Sequence, residues 1–139
     1  MSVATEASIQ DLTNGIQRRL ATIVGLRAYA VEPDQPNFPC AYPRLVDWTY
    51  DDTLAEHSMT WHFDVWVLVG TEPRFGRAQT DLNEYLSPVG SRSVKLAIDT
   101  DPTLECNVDA RATGGGAYGR VEIGGVTALG ASVRLEVLT

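Results

Sequence analysis

The first apolar residues recur at three- and four-residue steps: Ile9, Leu12, Ile16, Leu20 and Ile23. On a helix this spacing makes one stripe, with Gln10, Asp11, Gln17 and Arg18 facing away. Ser8 and Asp11 have capping-box spacing, but the stripe predicts an earlier start near Ser2 or Thr5, and Gly25 is expected to end the helix. Residues 26–31 then read as a short strand. Residues 32–39 hold Pro33, Pro36 and Pro39, which exclude regular ladder pairing and predict a loop. Residues 41–50 can resume as a strand, with Pro43 marking an edge or a bulge.

Alternation is strongest over residues 58–69. Met59, Trp61, Phe63, Val65, Val67 and Val69 fall on one face, and Thr60, His62, Asp64, Trp66 and Leu68 on the other. The second face is polar in its first half and apolar in its second. That pattern predicts a central strand whose far end is covered on both sides. Gly70–Pro73 forms a turn into a helix from about Pro73 to Leu86, with Phe75, Ala78, Leu82 and Tyr85 as its buried stripe. Pro88 and Gly90 stop it. Residues 91–98 read as a short third helix, with Val94, Ala97 and Ile98 inward. Cys106, Val108, Ala110 and Ala112 alternate as a strand, and Gly114-Gly115-Gly116 opens a flexible turn. Val121 and Ile123 before Gly124-Gly125 signal a hairpin, and Val133, Leu135 and Val137 mark a final strand.

The order helix, strands, helix, short helix, strands predicts an α+β fold in one domain over residues 1–139. Its core would be a single mixed, mostly antiparallel β-sheet carrying the N-terminal helix and a second helix pair. With 139 residues, 44% of them hydrophobic and 21% charged, the chain can bury an ordinary core without disulfide or metal. Cys40 and Cys106 are expected to be reduced, small apolar residues. No secretory signal and no membrane span is expected.

The net charge of −7, with one Lys and ten Arg scattered along the chain, argues against a basic nucleic-acid-gripping surface. Each candidate chemistry fails on its context. Gly114, Gly116 and Gly119 match the letters of a dinucleotide fingerprint, but Arg120-Val121-Glu122-Ile123 reads as strand where a helix N-terminus is required. His57 and His62 are the two histidines, and their spacing points them to opposite faces of a strand. A zinc site would need further ligands than Cys40 and Cys106 offer. Asp99 and Asp101 have calcium-loop spacing but are followed by Pro102, and read as a capping turn; Asp51-Asp52 reads as a strand-end turn. Ser132 lacks a nucleophile elbow, and Cys40 lacks a helix N-terminus to activate it. Trp48, Trp61 and Trp66 read as core or interface, with a ligand pocket as the alternative. Neither catalysis nor a cofactor is expected.

The order of elements also carries a resemblance. Gly25-Leu26 ends the first helix, and a proline-rich loop leads to Phe38-Pro39-Cys40-Ala41. The long strand runs from Trp61 to Val69, and the second helix ends in Asn83-Glu84-Tyr85-Leu86. Residues 90–98, Asp101-Pro102-Thr103-Leu104, Tyr118-Gly119 and a terminal strand follow. Over nearly its whole length the chain resembles the tail terminator (tail completion) proteins of long-tailed bacteriophages, especially the actinobacteriophage type.

The resemblance implies a virion structural protein at the head–tail junction, held in the host cytoplasm before assembly. Such proteins form a ring, usually a hexamer, that caps the head-proximal end of the tail tube. The implied partners are further copies of itself, the tail tube protein and the head-completion (neck) proteins. Genomic DNA passes through the lumen without specific binding, which suits an acidic chain. Related neck adaptor proteins of the head–tail connector are the alternative. Two loops are the expected contact surfaces: the rigid one with Pro33, Pro36 and Phe38, and the flexible one with Gly114, Gly115, Gly116 and Tyr118.

Overall fold

The computed structural model describes residues 8–51, 58–71, 75–104 and 108–138. Its elements run in the order α1 (Ile9–Leu20), β1 (Arg27–Ala28), β2 (Cys40–Asp51), β3 (Ser58–Thr71), α2 (Phe75–Leu86), α3 (Val94–Thr100), β4 (Asp109–Ile123) and β5 (Val126–Leu138). The five strands form one mixed sheet in the order β1-β2-β3-β5-β4. β1 is parallel to β2, and every other neighbouring pair is antiparallel. The fold is α+β, as the periodicities require.

The central strand is β3, flanked by β2 and β5. Trp61, Phe63, Val65, Val67 and Val69 enter the main core together with Leu12, Ile16 and Leu20 of α1, Leu82 and Tyr85 of α2, Val94 and Ile98 of α3, and Val133, Leu135 and Val137 of β5. All the helices therefore lie on one face of the sheet. On the other face, Cys40, Tyr42, Leu68, Ile123 and Ala128 form a second, smaller cluster. Phe38, from the proline-rich segment, packs on it with Tyr29, Trp66 and Val121. The far end of β3 is thus covered on both sides, as its doubly apolar second half predicts.

Several local readings need correction. α1 begins at Ile9, with Ser8 as its extended N-cap; Ser2 and Thr5, where the stripe put the start, lie outside the described residues. The Ser8 hydroxyl accepts from the Asp11 amide at 3.1 Å, and the Asp11 carboxylate accepts from the Ser8 amide at 3.0 Å. A closed capping box satisfies two end donors at once and outweighs the weak pull of an extended apolar stripe. Ile9 is 46% exposed, so the buried stripe starts at Leu12. The helix ends at Leu20, with Ala21 as its C-cap, and Gly25 serves a following turn at φ 87°. Only Arg27–Ala28 of the expected strand over 26–31 pairs, because β1 touches β2 at its first two residues alone.

Pro43 lies at an edge. The carbonyls of Pro39 and Ala41 accept from Arg27 and Tyr29, so these residues turn their backbone groups toward β1. By alternation Pro43 turns the same way, beyond the end of β1, where a missing N–H breaks no ladder. The bulge comes later, at the register shift between Leu45 and Asp47.

The largest correction concerns residues 112–119. They belong to β4, paired along β5 with register shifts between Ala112 and Gly114 and between Gly116 and Gly119. The flexible turn expected at Gly114-Gly115-Gly116 is an edge strand. The turn proper is Gly124-Gly125, with φ of 58° and 81°, joining Ile123 to Val126 as the hairpin signal predicts. Among the described residues no helix is long and apolar enough to cross a membrane.

Candidate functional site

The sheet's helix-free face is ordered by strand register into rows of charge. Asp47, His62, Glu136 and Arg111 stand side by side across β2, β3, β5 and β4. His62 Nδ1 lies 2.5 Å from Asp47 Oδ1, its Nε2 lies 3.5 Å from Glu136 Oε2, and Arg111 Nη2 donates to Glu136 Oε1 at 3.1 Å. One row over, Arg134 Nε reaches Asp64 Oδ1 at 3.3 Å. Opposite charges on directly facing residues stabilise a sheet modestly and oppose a register slip.

These groups pair with one another across the face. Both imidazole nitrogens of His62 face carboxylates. The two carboxylates lie on opposite sides of the ring, and among the described residues no three His, Cys, Asp or Glu side chains could hold one metal ion. His57, Cys106 and Asp52 lie outside the described residues. Cys40 is a free, fully buried thiol whose pKa burial pushes up to about 11, against a weaker opposing pull from Arg27. A protonated buried thiol is a poor nucleophile. Asp101 follows α3 and accepts from the Thr103 hydroxyl at 2.6 Å, the local turn its sequence context predicts.

The three tryptophans do not share a pocket. Trp61 and Trp66 project from opposite faces of β3, as their odd separation dictates. Trp48 stands opposite Trp61, on the helix side, with ring centroids 6.5 Å apart. Trp61 is buried, whereas Trp48 is 47% and its neighbour Tyr50 65% exposed. These two form an aromatic patch at the β2 edge that sequence reasoning left undistinguished from core.

The proline-rich segment and the glycine segment end up in different settings. Pro33, Pro36 and Phe38 are half-buried. The segment folds over the helix-free face as far as the β4–β5 turn: a Cβ on Gly124 would lie 2.5 Å from the Asp34 carbonyl oxygen and 3.2 Å from Pro36 Cδ. Tyr42 donates to Glu32 at 3.2 Å, and burial, reinforced by the Glu32 carboxylate, raises the phenol's pKa. The segment is therefore engaged with its own sheet.

Gly114, Gly115 and Gly116 are exposed along β4. With no side chains there, the helix-side face of the sheet opens into a groove of about 310 Å³. Ala131 and Val133 floor it, Tyr85 and Leu86 of α2 form one wall, and the glycines form the other. Tyr118 closes one end. Ala117, at φ 54° within the second irregularity of β4, redirects the chain there, and the Tyr118 hydroxyl donates to Asn83 Oδ1 at 3.0 Å. The site so defined is a bare strand edge beside an apolar groove, which has the character of a contact surface.

The chain matches no protein-family model and no curated protein.

Proposed function

We propose that the chain is a ring-forming structural protein of a long-tailed bacteriophage, a tail terminator that caps the head-proximal end of the tail tube and joins tail to head. The observation that carries the reading is the pair of unmatched strand edges on opposite sides of one sheet. Among the described residues, β4 has no strand beyond it, and β2 has only the two-residue β1 beside its first residues. A long open edge is a template for pairing that most monomers blunt. Two different edges give a head-to-tail contact, and head-to-tail contacts close into rings when the rotation permits.

The whole-chain resemblance supplies the position of the ring, and the charge supports its passage role. A net charge of −7 opposes phosphate binding, so DNA slides through the lumen without specific contact. The partners are further copies of the chain, the tail tube protein and the head-completion (neck) proteins. Electron microscopy of particles made without this protein tests the assignment. Overlong, headless tails are the expected result. Filled heads that leak DNA would move the protein to the neck adaptors of the head–tail connector, and normal particles would refute both.

A further inference from the structure

The groove and the aromatic patch are complementary, and they lie on the same face of the sheet at its two opposite edges. In register, Trp48 shares a row with Trp61, Val137 and Ala110, so it stands on the helix side at the β2 edge. The groove opens on the helix side at the β4 edge. A single translation across the sheet carries one onto the other. β2, β3, β5 and β4 are successively antiparallel, so β2 and β4 run in opposite directions. A neighbour's β2 therefore arrives at β4 antiparallel, in continuation of the sheet. From these relations we infer that the joint between copies is the β2 edge of one subunit laid along the β4 edge of the next, with Trp48 of the first seated over the glycine groove of the second.

Size favours this occupant. The incoming edge presents Trp48 and Tyr50, large and exposed; the receiving edge presents Ala112, Gly114, Gly115 and Gly116. Glycine lets a second backbone approach closely and leaves the apolar floor uncovered.

The start of β4 is already occupied. The Ala110 amide donates to the Pro102 carbonyl at 2.8 Å, so the incoming strand cannot align row for row. An even stagger toward Tyr118 clears Pro102 and keeps the faces matched. It moves Trp48 from Ala110 to Gly115 and sets Tyr50 opposite Ala112, consecutive helix-side positions across the first irregularity of β4. A stagger is also what a closed ring of tilted strands requires.

The joint rests on the ring reading for its place in the virion, and on the two edges alone for its existence. The test uses the full chain in sedimentation velocity with three comparisons. Trp48→Ala should weaken self-association at least about tenfold while leaving the far-UV circular dichroism unchanged. Ala112→Lys, which puts a charged side chain into the groove on the face that Trp48 occupies, should do the same. A mixture of Tyr50→Cys and Ala112→Cys copies, both on the helix side, should form a disulfide-linked pair above the background of the parent and of either variant alone. A parent that assembles, with variants that assemble equally and a mixture that does not cross-link, overturns this joint and leaves the ring reading standing. A parent that stays monomeric at high concentration, with no cross-link in the mixture, also overturns the joint. The particle experiment then judges the ring reading separately.

Discussion

Replacing Gly15 by alanine should destabilise the protein, although the same change is normally favourable in a helix. Alanine gains about 1 kcal/mol over glycine in a helix interior. At Gly15, however, an added Cβ would lie 2.5 Å from the Leu104 carbonyl oxygen and 2.8 Å from Leu104 Cβ. A backbone carbonyl cannot rotate away as a flexible side chain would. Leu104 is fully buried, sits at φ 51°, and its carbonyl accepts from Arg18 Nη2 at 3.3 Å. Relieving the contact means lifting that turn off α1. Overpacking of this kind costs about 1–3 kcal/mol, and loss of the Arg18 hydrogen bond about 1 kcal/mol more. Set against the propensity gain, the net loss is about 2 kcal/mol. Urea unfolding followed by tryptophan fluorescence reads this as a lower midpoint at unchanged slope. Gly76→Ala is the control. Gly76 is exposed in the first turn of α2 and an added Cβ meets nothing within 4 Å, so that variant should gain roughly 0.5–1 kcal/mol. If both variants gain, the close approach of Leu104 to α1 is wrong.

Further outcomes follow from the buried thiol and phenols and from Phe38. Because burial raises the Cys40 thiol from its ordinary 9.0 to about 11, the folded state favours the protonated form. Its contribution is fully present below pH 9 and is lost as pH rises through about 11. Alkaline unfolding should accordingly shift upward in Cys40→Ala, and Cys40 should resist alkylation until denaturant is added, as mass spectrometry would read. Buried Tyr42 and Tyr85, whose phenols are also raised, should add a loss of stability that begins nearer pH 10 and persists in that variant. Phe38→Ala should cost about 1–2 kcal/mol, since the ring is half-buried over the helix-free face. It should also speed protease cleavage within residues 32–37; cleavage at the parental rate would show that the ring does not hold the segment down.

The patterned elements were legible because their side chains report their surroundings. The stripe of α1 from Leu12, the two-faced alternation of β3 and the Gly124-Gly125 hairpin are local signals, and the structure carries each of them. The proline-rich segment was legible as irregular, but not as a cover for the sheet. What it covers depends on Leu68, Ile123 and Ala128, which come from three different strands.

The candidate site was the least legible part. Glycine has no side chain to alternate, so residues 114–116 carry no periodicity, and pairing to β5 alone makes them a strand. The bulge between Leu45 and Asp47 is silent in the same way. It places Leu45 and Trp48 on one face and Arg44 and Asp47 on the other, against the odd separations that simple alternation forbids. Composition and periodicity thus determined the fold class, the helix-bearing core and the acidic character of the chain. Only tertiary structure decided which edges stayed open, which tryptophan reached the surface and which charges met across the sheet. Those outcomes depend on register, a relation between distant segments that no single stretch of sequence contains.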